Sequence, residues 1–128
     1  MKIKTLFIIN AVIAFVYGIC FVLIPSKVLL WYGLIAGPSE ALLGQFFGVA
    51  LLGIGLITWF ARNVVDHKAI KAVVLALLLS DLTGVIVSVI GTITGVMNTF
   101  GWSAVFIYLF LALAYAYFQF KKPDTPQE

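Results

Sequence analysis

Charge is scarce in this chain. Of its 128 residues 10% are charged, eight basic and five acidic, while 63% are hydrophobic and the mean hydropathy is +1.16. So few charges cannot coat a water-soluble domain of this length, which excludes that class. Cysteine is down to one, Cys20. That excludes an intrachain disulfide, a thiolate metal cluster and the paired-cysteine redox enzymes, and leaves Cys20 as a small apolar packing residue. Histidine is also down to one, His67, in a polar connection. No haem or metal site can be assembled around it, so neither a cofactor nor a metal is expected. The net charge of +3 and the pI near 9.1 do not point to nucleic acid, because the basic residues are dispersed rather than clustered into a patch.

Long apolar runs are what the chain does have. Thr5–Ile24, Ala41–Ala61 and Trp102–Phe120 contain no charged residue, and Ala72–Gly91 contains one, Asp81. A hydrocarbon core about 30 Å thick is crossed by about 20 apolar residues of helix. Each run meets that length, so the sequence predicts an all-α, four-transmembrane-helix bundle with spans at about 5–24, 41–61, 70–91 and 102–120. Residues 1–120 then form one transmembrane domain, and 121–128, polar and containing two prolines, a disordered tail. The first run is too long for a signal-peptide core and has no small-residue cleavage site, so it is read as a retained span.

The charges set the orientation. With four spans the two termini and the second connection share one side, which holds Lys2, Lys4, Arg62, Lys68, Lys71, Lys121 and Lys122; the other side holds only Lys27. The positive-inside rule then places both termini in the cytoplasm and the protein in the cytoplasmic (inner) membrane. Trp31, Tyr32, Phe100 and Trp102 fall at one predicted interface, and Trp59, Phe60, Tyr117, Phe118 and Phe120 at the other. Pro25 ends the first span, and Lys27–Ile35 is too short to cross, so it is expected to lie along the surface as a short helix. Ser39 is the expected cap of the second span, with Glu40 favouring its positive end. The connections are short, so neighbouring spans run antiparallel, up-down-up-down.

Each span carries small and polar residues at helical spacing: Asn10, Ala14 and Tyr17; Gly44, Gly48 and Gly55, with Gln45 and Thr58; Asp81, Gly84, Ser88 and Gly91; Tyr108, Ala112, Tyr115 and Gln119. Steps of three and four place each set on one face. Helices in lipid associate through small residues that let backbones approach. Gly44, Gly48, Gly55, Gly84, Ala14 and Ala112 are therefore the expected packing positions, with the large aliphatic and Phe side chains turned to lipid.

Asp81 is the costly residue. A carboxylate at mid-span costs about 3 kcal/mol on insertion scales. It must turn inward and accept hydrogen bonds, or take up a proton. No basic residue lies at its depth, so a tyrosine hydroxyl from Tyr17, Tyr108 or Tyr115, or a buried water, is the expected partner. Asp81, these three tyrosines, Asn10, Gln45 and Ser88 are the candidate binding or coupling residues. No catalytic residue is assigned, because the spans lack clustered His, Cys or paired carboxylates, and an enzyme is least favoured.

Small multidrug transporters share the size and four spans but carry their acid in the first span. In its Pro25–Gly33 surface segment with Tyr32-Gly33, its Gly-rich second span ending in Trp59-Phe60-Ala61-Arg62, and its polar stretch Asp81–Ser88, the chain resembles the small DoxX-like four-helix membrane proteins, largely uncharacterised, over nearly its whole length. The resemblance implies a four-helix membrane fold and supplies no cofactor ligands. Three functions stay open. The leading one is a non-enzymatic membrane subunit or scaffold that binds a lipid, a membrane-protein partner or further copies of itself. The others are a small oligomeric carrier coupled through Asp81, and a lipid- or quinone-associated enzyme subunit.

Overall fold

The computed structural model describes residues 1–121; the expected tail from 122 onward lies outside them. Five helices follow one another: α1 (Ile3–Leu23), α2 (Pro25–Trp31), α3 (Pro38–Ala61), α4 (His67–Ile93) and α5 (Gly101–Phe120). All but α2 are long and apolar enough to cross a bilayer. The 27 residues of α4 reach about 40 Å. The chain is thus an all-helical, multi-pass membrane bundle with α2 lying between the first two spans. The termini and the α3–α4 connection share one end (the termini end); α2 and the α4–α5 loop share the other (the α2 end).

Local chemistry explains the breaks. Pro25 and Pro38 begin α2 and α3, where a missing N–H goes unneeded. With Gly37 as the N-cap residue, α3 starts earlier than expected, and Ser39 falls inside the first turn rather than capping it; no side-chain cap bond forms there. His67 is likewise not a connection residue but the first residue of α4. Gly33 after α2 has φ +80, a left-handed turn that other residues rarely adopt.

The bundle is built from two tightly packed pairs, α1 against α3 and α4 against α5. In the first pair the backbones nearly touch. A Cβ added to Gly48 would stand 2.8 Å from the Gly18 carbonyl oxygen and 2.9 Å from Phe21 Cβ, and one at Gly55 would stand 2.8 Å from the Phe15 ring. In the second pair a Cβ at Gly84 would collide with the Tyr108 ring. The packing roles expected of Gly44, Gly48, Gly55, Ala14 and Ala112 agree with their burial, and Thr58, fully buried, bonds back to the Ile54 and Gly55 carbonyls.

One expectation needs correcting. The seams do not hold the whole core together. At the termini end it is filled by large side chains, among them Leu6, Phe7, Leu77, Leu78, Leu111 and Phe118. Small residues let two backbones approach, but joining one pair to the other leaves a wider gap that only large side chains span. A smaller cluster of Phe21, Val28 and Tyr32 closes the α2 end. Tyr32, expected at the membrane interface, is 7% exposed, whereas its neighbour Trp31 is 51% exposed and keeps the interfacial position.

Polar groups tie the ends. Gln45 Nε2 donates to the Val22 carbonyl at 3.0 Å, satisfying one of the free carbonyls at the end of α1. Lys71 Nζ donates to the Phe118 and Gln119 carbonyls at 3.0 and 2.6 Å, capping α5 from α4. The α4–α5 loop rests on the end of α2, with Asn98 N donating to the Tyr32 carbonyl at 2.9 Å.

Candidate functional site

Between the two pairs, above the large-residue core, lies a cavity of about 770 Å³. Ligand sites run from roughly 300 to 1,000 Å³. It exists because α1 meets α5 only over a short stretch and α3 hardly approaches α4. The opening lies between α3 and α4, where Leu43, Phe47 and Val87 line the cavity yet remain exposed. At the α2 end Glu40 also lines it.

Most of the sequence candidates meet here. Asn10, Tyr17, Asp81, Ser88 and Tyr108 all line this one space. Their levels follow from 1.5 Å per residue counted from the helix ends at Leu23, Ile93 and Gly101. Asn10, Asp81 and Tyr115 lie about 18–21 Å deep along their helices, and Tyr17, Ser88 and Tyr108 roughly 8–10 Å deep. Asn10 Nδ2 donates to the Tyr115 hydroxyl at 2.7 Å, a buried bond that joins α1 to α5 at the deep level. Tyr32 donates to the Tyr17 hydroxyl at 3.4 Å, a long bond near the α2 end. Ser88 Oγ donates to the Gly84 carbonyl of its own helix at 2.7 Å.

Asp81 is turned inward and is 6% exposed, as the cost of a carboxylate in lipid requires. The expected tyrosine bond to it does not form. Tyr115 stands at its depth but its oxygen accepts from Asn10, Tyr17 lies about two turns away with Tyr32, and the Tyr108 ring packs over Gly84. Asp81 Oδ2 has no hydrogen-bond partner among the described residues. Equal depth was therefore too weak a criterion, since direction around the helix decides which hydroxyl faces the acid.

Two candidates fall outside the cavity. Gln45 is occupied at the end of α1, and Tyr115 lies behind Asn10. Two lining residues were missed as site residues. Tyr32 was read only as an interfacial ring and Glu40 only as a helix-start residue. Their position on the cavity wall at the α2 end follows from the fold of α2 and the start of α3, which no spacing rule encodes. His67 lines a separate hollow of about 30 Å³ beside Lys71 and Phe118, with room for a water or two and no more.

The fold and cavity define a multi-pass α-helical membrane protein with an internal, laterally open cavity that holds a buried carboxylate. No family model, no curated protein and no solved structure matches the chain.

Proposed function

We propose that the protein is a non-catalytic membrane subunit that takes up a lipid-like molecule through the α3–α4 opening, in the cytoplasmic membrane with both termini in the cytoplasm. The observation that carries this reading is the cavity of about 770 Å³ between the helix pairs, apolar over most of its wall and polar at Asp81, Ser88 and the tyrosines. That is the division an amphiphile presents: a chain to place among Leu, Ile and Phe side chains and a headgroup to place against polar ones. The opening faces the lipid-exposed flank of α3 and α4, so a ligand can enter from the bilayer without crossing water. The one-sided distribution of lysines supports the orientation. Kinship with the DoxX-like proteins belongs to the same proposal.

Ala50→Trp tests it. Ala50 lines the cavity yet is exposed, so a large ring there narrows the opening without disturbing a packed interface. Native mass spectrometry of protein extracted in mild detergent should show a bound amphiphile on the wild type and its loss from A50W. An unliganded wild type under conditions that keep membrane lipids on other proteins would refute the reading. A second reading, a carrier coupled through Asp81, is favoured by the burial of that carboxylate in the cavity. It requires flux in liposomes that Asp81→Asn abolishes.

A further inference from the structure

We infer that the cavity selects amphiphiles with a protonated amine headgroup and no phosphate. This rests on the amphiphile-binding reading above and adds the chemistry of the ligand.

The charge of the lining carries the inference. Two acidic residues line the cavity, Glu40 at its α2 end and Asp81 about 18 Å along α4 from that end, and no Lys, Arg or His lines it among the described residues. A cleft with charge of one sign and low-dielectric walls focuses its field and concentrates the opposite charge. Asp81 lines this space, and its Oδ2 is buried with no hydrogen-bond partner among the described residues. An unpartnered buried acceptor strongly favours a ligand that brings a donor. Between the two acids stand Tyr17, Tyr32 and Tyr108, whose ring faces attract a cation. An alkylammonium answers the first two features with one group, charge for the carboxylate and N–H for Oδ2, and the rings favour a cation at the shallower level.

Other ligands meet fewer of these demands. A fatty acid would place a third carboxylate beside two. A neutral alcohol would supply the donor but leave the field unanswered. A phospholipid carrying an amine brings a phosphate for which the lining holds no basic side chain. A divalent metal ion wants six or more oxygen ligands, and this largely apolar wall does not gather them around Asp81.

The test titrates the full-length protein in mild detergent with dodecylamine, dodecan-1-ol, dodecanoate and phosphatidylethanolamine at matched free concentrations, counting adducts by native mass spectrometry. Dodecylamine should bind once per chain and at least about tenfold tighter than dodecan-1-ol, the scale of one charge-assisted hydrogen bond. Asp81→Asn should remove most of the amine's advantage over the alcohol, the remainder being owed to Glu40. Should that variant fail to fold, the amine-to-alcohol ratio of the wild type decides alone, with Glu40→Gln, at an exposed position, expected to reduce the ratio. Equal binding of amine and alcohol overturns the amine selectivity and leaves the amphiphile reading standing. Phosphatidylethanolamine binding as tightly as dodecylamine overturns the exclusion of phosphate-bearing headgroups. Absence of binding by all four overturns the cavity's role as a binding site altogether.

Discussion

Gly48 shows what one residue decides in this protein. In lipid there is little hydrophobic gain in bringing two apolar helices together, so contact depends on how closely their atoms approach. The Cβ of an alanine at this position would meet the Gly18 carbonyl oxygen, a backbone atom that cannot swing away, at 2.8 Å. Gly48→Ala should therefore destabilise the fold by about 1–3 kcal/mol, the usual scale of overpacking, whereas Gly53→Ala, where a Cβ meets nothing within 4 Å, should not. Unfolding in graded denaturing detergent, compared between the two variants, checks this; equal stability would mean that α1 and α3 do not cross at Gly48. Asp81 makes the complementary point. Its inward turn was legible from composition and depth, while the lack of a hydroxyl facing it was not, because the rotation of α1 and α5 about their axes is set by packing.

Among the elements, α5 depends on α4 for its ending. The last carbonyls of a helix have no partner within it, and Lys71 reaches across to two of them, at Phe118 and Gln119. The charge at the negative end of the helix dipole adds to those bonds. Lys71→Met keeps the length of the stem and removes the donor. It should destabilise the fold by about 1–2 kcal/mol, with faster hydrogen exchange confined to the last turn of α5. Uniform loosening along the helix would argue against a local cap. From sequence Lys71 counted only toward the orientation bias. Its second role needed the register of α4 against α5.

For the molecule as a whole, topology is the claim open to the most direct test. In a Cys20→Ser background, single cysteines at Ser26 and Ser39 should label with a membrane-impermeant reagent from outside intact cells, and cysteines at Lys2 and Asn63 only after permeabilisation. Labelling of Ser26 and Asn63 from the same side would break the four-span arrangement. The division into two helix pairs also bears on the proposed uptake of an amphiphile. Separation of α3 from α4 is what opens the cavity, so on the proposed reading a variant that narrows this gap, such as A50W, should lose ligand while keeping the helix content of the wild type.

The number of spans, the breaks at Pro25 and Pro38, and the glycine and alanine positions that pack were all available from the order of residues, because length, backbone restriction and the absence of a Cβ are local properties. So was the choice of Asp81 as the residue that lipid cannot tolerate. Which helices pair, the filling of the termini end by Leu and Phe side chains, the gathering of Tyr32, Glu40 and Asp81 around one space, and the cavity itself were decided only in three dimensions. The physical reason is that a cavity is what remains where two packed surfaces fail to meet, and no single segment of the chain contains that information.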